Sequence, residues 1–185
     1  SVIDALPDGR QQIKTYLVNS AYNARIMKFI ERNISDGGRV YYVCPAVEED
    51  AESETCLAAA KTKKDELAAV FGKDSVGLVY GKMRGADKDR VMQLFYDGKI
   101  KVLVSTTVIE VGVNVPNATL MIIDGADRFG LSQLHQLRGR VGRGSRASFC
   151  VLISDSDSDA AVQRLNFFAK TTDGFEIAKK DLSLR

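Results

Sequence analysis

Leu120-Met121-Ile122-Ile123 is an apolar run with no polar interruption, and Val102-Leu103-Val104 shows the same pattern earlier in the chain. A strand with one wet face alternates apolar and polar residues. A continuous run marks a strand covered on both faces, the usual situation in a parallel sheet. Working outward, Ile13 to Val18, Val40 to Cys44, Val76 to Tyr80, Lys101 to Val104 and Phe149 to Ile153 complete the predicted strands. Longer amphipathic stretches lie between them. Asn19 or Ser20 caps a predicted helix to about Ile34, stopped by Ser35-Asp36-Gly37-Gly38. The acidic stretch Glu48 to Glu54 reads as a solvated loop before a helix to about Val70. Asp87 to Tyr96 reads as an amphipathic helix ended by Asp97-Gly98. This alternation predicts a doubly wound α/β domain, a mostly parallel sheet with helices on both faces.

Composition narrows the function classes. The 185 residues are 45% hydrophobic and 27% charged, as in globular proteins. No apolar run approaches the roughly 20 residues needed to span a bilayer, and Ser1-Val2-Ile3-Asp4 lacks signal-peptide character. Cys44, Cys56 and Cys150 are odd in number and lack CxxC spacing, so they read as small buried apolar residues in a reducing cytoplasm. The net charge of +2 decides little, and any case for nucleic acid rests on local residues. The segment from Asp173-Gly174-Phe175 to Leu182-Ser183-Leu184-Arg185 is a new amphipathic stretch that stops without a Gly or Asn cap. The expectation is a chain cut from a longer one.

The strongest chemical signal is Gln133-Leu134-His135-Gln136-Leu137-Arg138-Gly139-Arg140-Val141-Gly142-Arg143-Gly144. At about 100° per residue, Leu131, Leu134, Leu137 and Val141 fall on one helical face, and Gln133, Gln136, Arg140 and Arg143 on the other. Arginine suits bidentate contact with phosphate oxygens and the charge that develops in phosphoryl transfer. A basic helix end that complements the macrodipole is the plainer reading. Gly139 and Gly142, at roughly 1 kcal/mol each in a helix, tip the balance toward a face that another surface approaches closely.

A second signal is the buried strand that runs into Ser105-Thr106-Thr107 and on through Val108-Ile109-Glu110-Val111-Gly112-Val113-Asn114-Val115-Pro116. Hydroxyls at the carboxyl end of a parallel strand can meet phosphate or a DNA backbone, or cap the next helix, or both. Gly77-Leu78-Val79-Tyr80-Gly81-Lys82-Met83 falls one residue short of a phosphate loop and has Met where a hydroxyl must reach magnesium. His135 is the only histidine and reads as structural, which leaves little for a metal site or a catalytic triad. Asp155 to Asp159 reads as a loop and helix start. The chain thus offers hands for phosphate but no cradle for it, and on its own it is expected to hydrolyse nothing.

Gln136 to Gly144, QLRGRVGRG, is similar to motif VI of superfamily-two helicases, and Thr106 to Pro116 to their motif V. Together with Tyr80-Gly81-Lys82-Met83, Ser105 to Val113, Arg128-Phe129-Gly130-Leu131-Ser132-Gln133-Leu134-His135-Gln136-Leu137 and Asp173-Gly174-Phe175-Glu176-Ile177-Ala178, these motifs resemble the RecG family of branched-DNA helicases from about Gly9 onward. The resemblance implies a RecA-like fold over residues 1–170, the second of two motor domains. Residues 171–185 would open a translocation segment that couples the motor to duplex DNA. ATP and magnesium would sit between the motor halves, with the phosphate-loop lysine and the magnesium-binding acids on the first half. Arg140 and Arg143 would be arginine fingers, and Gln136 would couple nucleotide state to DNA. Gly112 and Asn114 would flank the nucleotide, and Thr106, Thr107 and Lys82 would lie along the DNA. Relatives often carry Asp at the Asn114 position and His at the Tyr80 position.

The implied parent is a bacterial cytoplasmic enzyme, working as a monomer, that unwinds and regresses stalled forks and Holliday junctions in repair and recombination. A junction-recognising wedge domain would precede its motor. Two other readings stay open. A transcription-repair coupling factor has a very similar motif VI, but its motif V usually has Cys before the threonines and Thr-Gly at the position of Val111-Gly112. A non-catalytic DNA- or protein-binding module would use the same fold without ATP chemistry.

Overall fold

The computed structural model describes residues 13–45, 54–106, 114–172 and 174–184. Its elements in chain order are β1 (Ile13–Val18), α1 (Asn23–Ser35), β2 (Arg39–Val43), α2 (Glu54–Phe71), β3 (Val76–Val79), α3 (Gly85–Tyr96), β4 (Val102–Ser105), β5 (Ala118–Asp124), α4 (Leu131–Arg138), β6 (Ser148–Ile153), α5 (Asp159–Lys170) and α6 (Gly174–Ser183). Short 3-10 turns precede α1, β3 and α4.

The strands form one sheet in the order β1-β6-β5-β2-β4-β3, and every pairing is parallel. The expected doubly wound architecture is therefore present, with a wholly parallel sheet. The unbroken apolar runs have the predicted cause: Val102 to Val104 and Leu120 to Ile123 are buried on both faces. Alternate β2 residues serve opposite layers. Tyr41 and Val43 pack with residues of α3, α4, α5 and α6, whereas Val40 and Tyr42 pack with residues of α1 and α2.

Some boundaries differ from the sequence reading. Asn19 is a cap, but of a 3-10 turn over Ser20–Tyr22: its side chain accepts from the Ala21 N–H at 2.9 Å, and α1 follows from Asn23. The helix expected from Asp87 begins at Gly85. The larger difference is α4. The predicted helix through Arg143 stops at Arg138, because Gly139 is the C-cap and Gly142 adopts the left-handed φ of +78°. That conformation turns the chain out of a helix, and glycine has no Cβ to oppose it. The single helical stripe of Gln133, Gln136, Arg140 and Arg143 is therefore not formed. Only its glutamines lie on the helix.

Cys44, Cys56 and Cys150 are free and buried, as expected of apolar fillers. Ser158 caps α5 by accepting from the Ala161 N–H, so the acidic Asp155 to Asp159 run is the expected loop and helix start. The final segment is helical over Gly174–Ser183, and Ile177 of α6 is buried in the layer that holds Leu131, Leu134 and Leu137 of α4. No described helix is long and apolar enough to cross a membrane.

Candidate phosphate and nucleic-acid site

Every strand runs the same way, so the sheet has a carboxyl edge and an amino edge, and the candidate residues divide between them. Thr106 follows β4 at the carboxyl edge, hydrogen-bonded through its N–H to the Val79 carbonyl at the end of β3. Its side chain is only 1% exposed, and the hydroxyl has no hydrogen-bond partner among the described residues. Lys82 is exposed in the turn after β3, where Met83 N–H closes onto the Tyr80 carbonyl and Lys88 Nζ donates to the Gly81 carbonyl. Thr107 and Gly112, also singled out from sequence, lie outside the described residues.

The arginines lie at the opposite edge. α4 leaves the carboxyl end of β5 and its following segment enters β6, so residues 139–147 return to the amino edge. Contacts agree with that path. Arg146 donates to the carbonyl of Asp36, which precedes β2, and a Cβ on Gly144 would collide with the Pro116 carbonyl, which precedes β5. The arginine turn thus packs against the segment that begins at the exposed Asn114. Arg140 is half-buried and Arg143 exposed; Arg143 Nε donates to the Gly139 carbonyl at 2.9 Å. Both guanidiniums act on the buried Tyr41 phenol. Burial pushes its pKa up to about 12, and the two positive charges pull the other way. Gln136 is exposed in the last turn of α4.

The carboxyl-edge rule for ligand crevices therefore covers Thr106 and Lys82 but not the arginines. The helix that carries Gln136 separates the two groups, with Gln136 toward the arginine end. The arrangement presents two guanidiniums at one edge and a hydroxyl and an ammonium at the other, all suited to phosphate oxygens.

Arg138, within the same stretch, was not singled out, and it is buried and multiply hydrogen-bonded. It is 3% exposed. Its Nη1 donates to Thr15 Oγ1 at 3.1 Å and to the Phe168 carbonyl at 2.9 Å, and its Nη2 donates to the Thr171 carbonyl at 2.6 Å. The guanidinium carbon sits 3.8 Å from the Phe168 ring centroid. Burial depresses its pKa from the ordinary arginine value. It ties α4 to β1, to the end of α5 and to the link into α6. The signal was available: Arg138 lies two turns from Leu131, squarely on the apolar face, where an arginine must be buried and bonded. The His135 ring lies against the start of α6, where a Cβ on Gly174 would come 2.9 Å from its Nε2.

Comparison with known proteins adds the family. Residues 21–145 match the helicase conserved C-terminal domain. The whole chain is 48% identical to the ATP-dependent DNA helicase RecG of Bacillus subtilis, of which it covers 27%, and 45% identical to that of Synechocystis, of which it covers 22%. It thus spans about a quarter of the length of these relatives. Among solved structures, 97% of the chain superposes on 23% of RecG bound to a three-way DNA junction, with a TM-score of 0.83 and 39% identity. Similarity to the yeast Dbp5 protein bound to RNA and ADP BeF3 covers 97% of this chain and 46% of that one. Its TM-score of 0.61 at 17% identity shows a shared fold. The six-stranded parallel sheet is the RecA-like helicase arrangement, and the chain belongs to the helicase conserved C-terminal domain family.

Proposed function

We propose that this chain is the second motor half of a RecG-type, ATP-dependent DNA helicase that unwinds and regresses stalled forks and Holliday junctions. The observation that carries the reading is the arginine turn. A helix is ended by Gly139, reversed by the left-handed Gly142, and held by the Arg143–Gly139 hydrogen bond, so that both guanidiniums sit at the rim of the domain. Such a rim suits contact with the triphosphate of a nucleotide held by another domain.

In this reading Arg140 and Arg143 bind and orient the triphosphate across the cleft and balance the charge that develops at its γ-phosphoryl group. An arginine so placed is worth roughly 10³ to 10⁵ in rate in phosphoryl-transfer systems. Asn114, beside the arginine turn, hydrogen-bonds the ribose, with Gly112 allowing close approach. Gln136 senses the nucleotide from the last turn of α4 and relays closure toward the DNA. Thr106 and Lys82 hold the DNA backbone at the other edge, and Thr107 is assigned the same role. Magnesium, when bound with ATP, neutralises phosphate charge. The described residues contain no group of three or more His, Cys, Asp or Glu that could hold it, and its ligands are assigned to the first motor half. By this reading the isolated chain turns over no ATP, and its partners are that first half, a wedge domain of the same parent and branched DNA. Residues 171–185, which include α6, open the translocation segment.

The test is fork-stimulated ATP hydrolysis by the parent protein, wild type beside Arg143→Ala, with nucleotide binding measured in parallel. Turnover is expected to fall at least about 10³-fold with binding retained. Unchanged turnover would reduce the arginines to a basic surface and favour a binding module.

A further inference from the structure

The amino edge carries more positive charge than the arginine turn uses. Arg39, the first residue of β2, and Arg146, ahead of β6, bring their guanidiniums to the same corner of the sheet. Each rests on a glycine in the left-handed region. Arg146 lies on Gly37 (φ +90°), where an added Cβ would come 2.9 Å from Nη2. Arg39 lies on Gly98 (φ +82°), where a Cβ would collide with its guanidinium. Side chains at either glycine would push an arginine away, so the backbone keeps two shelves clear.

Both shelves are built from turns that enter the sheet. Gly37 N–H bonds the Ile34 carbonyl, and Gly98 N–H the Phe95 carbonyl. Arg146 is anchored by its Nη1 to the Asp36 carbonyl rather than to a carboxylate. Burial lowers the proton affinity of Arg39; Asp97 opposes that effect and the charge of Arg146 adds to it. Two like charges are thus held together beside one carboxylate that acts on Arg39, and Lys99 and Lys101 lie in the segment that leads into β4. Placing like charges together is unfavourable, and an anion between them relieves it. Planar guanidinium forks match the oxygens of a phosphate group.

We propose that Arg39 and Arg146 form a phosphate-binding site at the amino edge, separate from Arg140 and Arg143, that takes a phosphate group of a DNA backbone or of a nucleotide. The site does not depend on the motor reading. That reading is judged on ATP turnover of the parent, whereas this one is judged on phosphate binding by the 185-residue chain.

The experiment follows the arginine Nε–H resonances of the chain during titration with pyrophosphate and, separately, with a short DNA duplex. The Arg39 and Arg146 signals are expected to shift together along one saturation curve. Arg39→Gln and Arg146→Gln should each weaken binding about tenfold. With duplex, each should also flatten the dependence of log affinity on log salt by about 0.9. Saturation by duplex at the lower concentration assigns the site to backbone phosphate; the reverse order assigns it to a nucleotide phosphate. Static Arg39 and Arg146 signals with both probes, or glutamine variants that bind as wild type does, would overturn the proposal. Should Arg39→Gln unfold, the exposed Arg146 carries the test alone, its amide spectrum reporting the fold.

Discussion

Arg143 donates its Nε–H to the carbonyl of Gly139 at 2.9 Å, so the second arginine of the turn is tied to the residue that ends α4. This bond spans the reversal made by Gly142, whose φ of +78° an L residue adopts only at a cost. Gly142→Ala is expected to lower stability by about 1–2 kcal/mol. In the parent it is expected to reduce ATP turnover well beyond what that loss explains, because the turn that aims Arg143 relaxes. Denaturant unfolding and ATP hydrolysis, measured side by side, separate the two effects. Turnover equal to wild type at matched folded fraction would show that the turn geometry is not needed.

Arg138 has a different part. Its guanidinium bridges the Phe168 and Thr171 carbonyls and the Thr15 hydroxyl while stacked on Phe168. Arg138→Met should cost about 2–4 kcal/mol, since buried carbonyls lose a charged donor. Arg138→Lys should restore little of it, because one ammonium cannot reproduce a planar fork. Hydrogen exchange is expected to rise first in α6, where the Thr171 anchor is lost. Protection of α6 unchanged in Arg138→Met would contradict that order.

Thr106 separates stability from function. Its hydroxyl is buried and, among the described residues, unbonded. Thr106→Val should therefore leave stability unchanged or raise it by about 1 kcal/mol, removing a polar atom that burial penalises. If the hydroxyl holds DNA in the parent, the same variant lowers DNA-stimulated ATP hydrolysis. A stability loss above about 1 kcal/mol would instead mean that the hydroxyl serves the fold.

Alkaline pH should unfold the chain by a defined route. Burial raises Cys150 from 9.0 to about 12 and Tyr41 from 10.0 to about 12. Below pH 9 both folded and unfolded chains keep these protons, and the full stability is present. From about pH 9 for the thiol, and about pH 10 for the phenol, the unfolded chain ionises first and stability falls until the folded groups titrate near 12. Each group contributes at most about 1.4 kcal/mol per pH unit. Denaturant midpoints from pH 8 to 11 should show the decline, and Cys150→Ala should make it shallower. A Cys150→Ala profile parallel to wild type would remove the thiol from the account.

What could be read in advance follows from how local each feature is. The strands were legible because burial on both faces writes an uninterrupted apolar run, and Val102 to Val104 and Leu120 to Ile123 are such runs. The layering of α1 and α2 against α3 to α6 was expected only as helices on both faces, since the order of strands is decided by long-range pairing. The arginine turn was expected as a continuous helix and is not one. Helical periodicity continues on paper through Gly139 and Gly142, whereas the backbone uses both glycines to leave the helix. The split between edges was not legible either, because it depends on where α4 ends relative to the sheet. The Arg39–Arg146 corner joins residues far apart in the chain and has no motif to announce it.

The sheet order has a consequence for synthesis. β1, the first strand of the described residues, pairs among them with β6 alone, from Ile13 with Ser148 to Val18 with Ile153. A nascent chain emerging from the ribosome therefore holds an unmatched strand until almost the whole domain has been translated. Closing so distant a pair is slow by comparison with local contacts. Until Ser148–Ile153 slots between β1 and β5, the growing polypeptide leaves β1 unpaired and one side of β5 open, which makes the domain a poor candidate for folding in instalments.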